Sequence, residues 1–211
     1  MSRDEVLHRV RTALGHSASN AVPDPPPIRI RISEQSLEKR VSGFTKQVEA
    51  LAAKVLRVAT ARDAGEAVRE LIENRCALAS PAVYLRECGI PQLPGVCSAS
   101  TDSKEWRHLC STAEVGVTGA DYALADTGTL VMLSTPSEAR MISLLPPAHI
   151  AVLSCERILS GLDELFAILP DPAAITSSMV LITGPSRTAD IEQTLVRGVH
   201  GPGQLTAVLV G

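Results

Sequence analysis

The chain has 211 residues, of which 45% are hydrophobic and 20% charged, with a formal net charge of −3. That length suits one large domain, or a domain with an appendage, and buries roughly 70% of the unfolded surface without disulfide or metal staples. Aromatic residues make up 2% and there is no basic block, which argues against nucleic-acid binding; no run of about 18 apolar residues predicts a membrane span and no signal-peptide core opens the chain, so a cytoplasmic location is expected.

The chain opens with a capping-box spacing, Ser2 to Glu5, followed by Val6, Val10, Ala13 and Leu14 at helical intervals and by Gly15 as a stop. Residues 16–27 read as a linker ending in a proline-rich run that favours extended backbone. The expected division is therefore residues 1–27 as helix and linker, and residues 28–211 as the main domain. Ser33 opens a longer helix whose apolar face is Leu37, Val41, Phe44, Val48, Leu51 and Val55. Residues 55–59 turn strand-like. Asp63 and Glu66 have capping-box spacing ahead of a helix with a buried stripe of Val68, Leu71 and Ile72. Residues 76–79 form a short apolar run of strand type, and Pro81 starts a short helix that stops near Gly89. Residues 91–103 are loop-rich and yield no element. A polar helix-like stretch over residues 104–110 holds the lone Trp106, which reads as a packing anchor. Strands alternating with helices predict an α/β fold with a mainly parallel sheet, in which ligands sit at the carboxyl ends of strands.

Two motifs stand out in the second half. In the first, a strand over residues 114–118 is followed by Asp126, Thr127, Gly128 and Thr129 at the entrance of an apolar strand, residues 130–133. Asp126 offers an acid, a base or a hydroxyl acceptor, and Gly128 allows close backbone approach. The same residues would equally satisfy local backbone groups at a turn. His149 stands just before the next strand, residues 150–153, where a structural role is the ordinary one.

In the second motif a strand over residues 179–183 runs into Gly184 and Pro185. Ser186, Arg187, Thr188 and Asp190 follow at the mouth of a short helix, with apolar face Ile191, Leu195 and Val196, closed by Arg197 and Gly198. His200 and Gly201 lie in a second Gly/Pro loop before a strand over residues 205–210. Strand, helix, strand makes a βαβ-like unit, and the helix start with Arg187 suits an anionic ligand group. Taken singly, these residues also serve as turn formers and helix caps. The spacing is neither a phosphate-binding P-loop nor a dinucleotide fingerprint. Cys76, Cys88, Cys97, Cys110 and Cys155 are scattered and form no C-x-x-C pair, which points to reduced thiols and to no iron–sulfur or zinc site in this chain.

The runs G-V-T-G-A-D-Y-A-L-A-D-T-G-T from Gly116, L-L-P-P-A-H-I from Leu144, G-P-S-R-T-A-D-I-E from Gly184 and G-V-H-G-P from Gly198 resemble the lactate-utilisation protein C family, the short LUD-domain proteins. The likeness covers the chain from about residue 114 onward. Many relatives carry Glu where this chain has Asp126, which keeps the charge and shortens the reach. The resemblance implies a fold of the type shared by glucosamine-phosphate deaminase, ribose-phosphate isomerase and coenzyme A transferases. It implies a non-redox role beside iron–sulfur partner proteins that oxidise L-lactate to pyruvate, the clusters residing in those partners. The alternative is a stand-alone protein binding a carboxylate, phosphate or coenzyme A ester, or a transferase-like enzyme. There Asp126 and His200 would carry protons, or Asp126 would act as nucleophile, and the Arg187 loop would hold the anion.

Overall fold

A computed structural model describes residues 2–15, 34–98, 103–135, 140–188 and 196–211. The chain divides into two units, Met1–Arg31 and Ile32–Gly211. In the first, α1 (Arg3–Ala13) has the predicted capping box: the Ser2 hydroxyl accepts from the Glu5 N–H at 3.2 Å, and the Ser2 N–H donates to the Glu5 carboxylate at 2.7 Å. None of its residues is buried.

The second unit begins with α2 (Leu37–Ala50), β1 (Lys54–Val58), α3 (Ala61–Ile72), β2 (Ala77–Ala79), α4 (Val83–Glu87), β3 (Val96–Ser98) and α5 (Ser103–Thr112). It continues with β4 (Val115–Gly119), β5 (Tyr122–Leu124), β6 (Thr129–Leu133), β7 (Ala148–Ser154), β8 (Ile158–Leu159) and α6 (Leu162–Ile168). The last elements are β9 (Met179–Ile182), β10 (Arg187–Thr188), β11 (Val196–Arg197) and β12 (Gln204–Val210). Six strands form one parallel sheet in the order β1-β12-β7-β4-β2-β3. A second, mixed sheet has the order β8-β5-β6-β9, and β10 pairs with β11 as an antiparallel ribbon.

Both faces of the parallel sheet are covered, which is why its central strands read as unbroken apolar runs. Ile150 and Val152 of β7 and Val208 and Val210 of β12 point toward Val68 and Ile72 of α3 and Leu85 of α4. Their neighbours Ala151, Leu153, Ala207 and Leu209 point the other way, onto Val41, Phe44 and Val48 of α2 and Leu130 of the mixed sheet. Near the other edge, Leu78 of β2 packs with Trp106 and Cys110 of α5 and with Ile142, so Trp106 is the anchor its isolation suggested.

Several local expectations change. Ser36 caps α2, accepting from the Lys39 N–H at 3.4 Å, and the helix ends before Leu51; Val55 belongs to β1. Thr60 caps α3, with Asp63 answering as its capping-box partner, because extended backbone at Thr60 aims its hydroxyl at the Asp63 N–H. The unassigned loop-rich segment contains β3, an edge strand. His149 lies inside β7 rather than before it. Val196 and Arg197 pair with Arg187 and Thr188 as a short ribbon, while the rest of the expected helix, residues 189–195 with Ile191 and Leu195, lies outside the described residues; β9 and β12 lie in different sheets, so they are not the parallel pair a βαβ unit requires. Two β-branched residues facing each other, Thr188 and Val196, favour that ladder.

Phe44 is fully buried between α2 and the sheets. Replacing it with Ala should cost about 3–5 kcal/mol. Urea unfolding checks this: the midpoint falls while the slope holds, and a loss below about 1 kcal/mol would show that the face collapses without it.

Candidate functional site

Three segments singled out by their motifs close on one another. Gly184, at φ +82°, turns the chain out of β9 with its Cα against Leu51, where a Cβ would stand 3.0 Å from that side chain. The Ser186 N–H donates to the Pro202 carbonyl at 2.9 Å, and the Gly198 N–H donates back to the Ser186 carbonyl at 3.1 Å. The Gly203 N–H donates to the Pro147 carbonyl at 3.0 Å, bringing in the segment that leads to β7. Between them lies a pocket of about 220 Å³ whose lining includes His149, Thr183, Gly184, Pro185, Ser186, His200 and Gly201.

His149 belongs to the pocket wall although it is 1% exposed. Its Nε2 lies 2.8 Å from the Thr118 hydroxyl, and its Nδ1 has no hydrogen-bond partner. Burial pushes its pKa down from 6.5 to about 4, so the ring is neutral at physiological pH. A structural reading of a lone His does not predict an orphaned ring nitrogen; the clue in the sequence was its place in L-L-P-P-A-H-I, beside the Gly/Pro loops.

The Asp126 motif is the turn between β5 and β6. Gly128, at φ +68°, presses on α2, where a Cβ would meet the Val48 nitrogen at 2.8 Å. The Thr127 hydroxyl donates to Asp126 at 3.2 Å, and the Thr129 hydroxyl donates to Thr127 at 2.8 Å. Thr129 also lies 2.8 Å from the Thr183 hydroxyl. A hydroxyl has one proton, so Thr183 is the donor to Thr129 and the chain runs Thr183 to Thr129 to Thr127 to the Asp126 carboxylate. The two motifs thus meet through one hydrogen bond. Asp126 itself is exposed and packs on Gly161, whose missing side chain makes room for it; it does not line the loop pocket, whereas His200 does.

Arg187 is exposed and its guanidinium donates to the Leu51 carbonyl. With Thr188 paired to Val196, the free helix N–H groups expected beside Arg187 are absent at those two residues. Asp190 lies outside the described residues.

A second cavity escaped the sequence reading. About 530 Å³ opens at the carboxyl ends of β2, β4 and β7, lined in part by Tyr84, Asp121, Tyr122, Ser154, Glu156 and Arg157. The Asp121 carboxylate accepts the Leu133 N–H at 2.7 Å. Although much of Asp121 is open to solvent, the protein around it raises its pKa, desolvation outweighing the Leu133 hydrogen bond and the Arg157 charge. Burial raises the Tyr84 hydroxyl to about 12, and the Arg157 guanidinium lies 5.5 Å from the Tyr122 ring centroid. Asp121 and Tyr122 belong to the run that starts at Gly116, and Tyr84, Ser154, Glu156 and Arg157 share no motif with them; the available signal was that these residues follow apolar strands within a few residues. A further hollow of about 720 Å³ lies at the amino ends of β1, β7 and β12. Among the described residues, no group of three or more His, Cys, Asp or Glu is placed to hold a metal ion, and no helix is long and apolar enough to cross a membrane.

A six-stranded parallel sheet with a smaller mixed sheet on one face, and Gly/Pro loops gathered round a small pocket, define an α/β protein with its candidate sites at the strand ends. Residues 41–210 match the family model of the LUD domain, and the chain belongs to that family. It is 36% identical over 115 residues to lactate utilization protein C of Exiguobacterium sp., covering 53% of this chain and 50% of that protein. Identity is 38% over 107 residues with the protein of that name from Macrococcus caseolyticus, covering 49% and 46%. It is 39% over 106 residues with the one from Halalkalibacterium halodurans, covering 48% and 46%. The chain thus spans about half the length of the curated relatives it matches. A crystal structure of a DUF162 family protein from Deinococcus radiodurans matches with a TM-score of 0.64 and 19% identity, over 84% of this chain and 100% of that one. At that identity the likeness is one of fold.

The His149 shift has a sign that can be tested. The unfolded chain takes up the proton between pH 6.5 and about 4, where the folded protein does not. The stability tied to the neutral ring is therefore complete above pH 6.5 and lost as pH falls toward 4. Melting temperature should drop between about pH 7 and about pH 4.5 in the natural protein and less steeply in His149→Gln, which does not titrate. Equal slopes would remove His149 as the source.

Proposed function

We propose that this chain works in lactate utilization as a component without a redox centre of its own, beside iron–sulfur partner proteins. Oxidation of L-lactate to pyruvate releases two electrons and two protons, and in this reading the partners take the electrons. The observation that carries the proposal is the 36–39% identity to proteins named lactate utilization protein C. The five cysteines fit it: Cys88, Cys110 and Cys155 are buried, and Cys76 and Cys97 are exposed. Burial raises the pKa of all three buried thiols, Cys88 to about 11, which suits core fillers rather than cluster ligands.

The second reading, a protein that binds or transforms a small molecule by itself, draws support from the cavities of about 530 and 720 Å³ and from the smaller loop pocket. Within it His200 can touch a ligand in the loop pocket. Asp126 reaches that pocket only through the threonine chain, so a nucleophilic role for Asp126 needs a ligand on the exposed side of the β5–β6 turn.

Deleting the gene should abolish growth on L-lactate, and the protein purified anaerobically from lactate-grown cells should bring iron–sulfur partners with it. Normal growth of the deletion strain, or a colourless protein eluting alone, would overturn the first reading. The capped α1, with Val6, Val10 and Leu14 exposed, suits a docking element. Removing residues 1–27 should weaken partner recovery while the remaining domain keeps its melting temperature; unchanged recovery would assign docking to another surface.

A further inference from the structure

The five cysteines divide by exposure, and the two that meet solvent are neighbours. Cys88, Cys110 and Cys155 are buried, whereas Cys76 and Cys97 are exposed. The parallel register between β2 and β3 sets Ala77 beside Val96 and Leu78 beside Cys97. Side chains alternate along a strand, so Cys76, one residue before β2, shares its face with Leu78 and stands diagonally across from Cys97. The two thiols interact: the charge of Cys97 and a hydrogen bond with it both act on Cys76. The pair is independent of the lactate role proposed above.

The two cysteines are held differently. Cys76 is tied to β4: its N–H donates to the Glu114 carboxylate at 3.0 Å, and its carbonyl accepts from the Glu114 and Val115 N–H groups at 2.9 and 3.2 Å. Cys97 lies on β3, a three-residue strand at the edge of the sheet that pairs with β2 alone among the described residues. Gly95, two residues earlier, has φ +81°, and a Cβ placed there would stand 3.6 Å from the Arg75 carbonyl oxygen, its nearest neighbour. With strands about 4.8 Å apart and a rise of about 3.3 Å per residue, a diagonal pair of this kind stands roughly 8 Å apart at Cα. A disulfide spans up to about 6.8 Å. Closing one here takes a shift of roughly 1–1.5 Å, which a short edge strand entered through a glycine can make and a central strand cannot. A bond made under such strain, and open to solvent, is readily reduced again.

We propose that Cys76 and Cys97 form a reversible disulfide when the protein meets a peroxide. The Cys97 thiolate attacks one oxygen of hydrogen peroxide, and the O–O bond breaks. The leaving hydroxide takes up the proton that Cys97 gave up, which makes one water, and Cys97 becomes a sulfenic acid. The Cys76 sulfur then attacks the Cys97 sulfur. The S–O bond breaks, and its hydroxide leaves with the Cys76 proton as a second water. Two thiols are oxidised to one disulfide, and their two electrons reduce the peroxide. Desolvation by the surrounding protein, followed by the charges of Cys97 and Glu114, raises the pKa of Cys76. That gives Cys76 the resolving part and leaves the first attack to Cys97.

Treatment of the reduced full chain with hydrogen peroxide, then alkylation of the remaining thiols and mass spectrometry of unreduced peptides, tests the pair. The expected product is a single chain with a Cys76–Cys97 link, in which Cys88, Cys110 and Cys155 are alkylated once the protein is unfolded. Dithiothreitol should restore both exposed thiols. Cys97→Ser should abolish the link and slow peroxide consumption by about tenfold or more. Cys76→Ser should consume peroxide at the natural rate and hold Cys97 as a sulfenic acid that dimedone captures. Melting temperatures of the reduced proteins establish that both variants fold. Exposed thiols left unlinked as sulfinic acids, a link between two chains, or a link from Cys76 to a buried cysteine would overturn the disulfide. A folded Cys97→Ser protein that consumes peroxide as fast as the natural one would overturn the order of attack.

Discussion

The parallel ladder between β7 and β12, seven residue pairs from Ala148↔Gln204 to Ser154↔Val210, is the interaction on which the rest of the molecule hangs. Strands this central are covered on both faces, so most of their side chains find apolar partners above or below the sheet, His149 with its Thr118 partner being an exception. Odd and even positions divide the work. One set builds the layer with α3 and α4, the other the layer with α2 and the mixed sheet. The mixed sheet exists to cover the second face, and the turn at Gly128 is pressed against α2 as a result.

The same strand also explains where the cavities lie. At its start β7 carries His149, and the residues before it are tied to the 200–203 loop; just beyond its end come Glu156 and Arg157. One seven-residue strand therefore contributes to three openings, and among the described residues the loop pocket has no carboxylate in its lining whereas the carboxyl-end cleft has two. The threonine chain adds a directional link: because each hydroxyl donates toward Asp126, Thr183 faces the loop pocket with its proton already committed and acts there as an acceptor.

Much of this was legible from residue order. The periodicity of Val41, Phe44 and Val48 gave α2, and the apolar runs near residues 150 and 207 gave the central strands, because burial leaves a regular mark on sequence. The family resemblance drawn from the second-half motifs agrees with the LUD-domain match. Short elements left too little pattern: β3 and β5 have three residues each, and β10 and β11 have two. Around Arg187 the expected helix would end at Val196 and Arg197, but those two residues pair across to Thr188 and Arg187, a preference that only the partner strand makes visible; Ile191 and Leu195 lie outside the described residues. The carboxyl-end cleft was invisible for a different reason. Tyr84, Asp121 and Arg157 are remote in sequence and come together only through strand order, which single-sequence patterns do not encode.

The first strand of the sheet has a neighbour far away in sequence. Among the described residues β1 pairs with β12 alone, Lys54 standing beside Thr206, a separation of 152 residues (206 less 54). As the polypeptide emerges during synthesis, β1 and the α2 face behind it wait for nearly all of the intervening chain before they acquire their partner. Closure of this edge is a late and entropically costly event, and in that interval α2 shields apolar surface that has not yet met its sheet. The fold is thus a clasp whose two halves are made more than a hundred residues of synthesis apart, and its quality depends on what protects the first half until the second arrives.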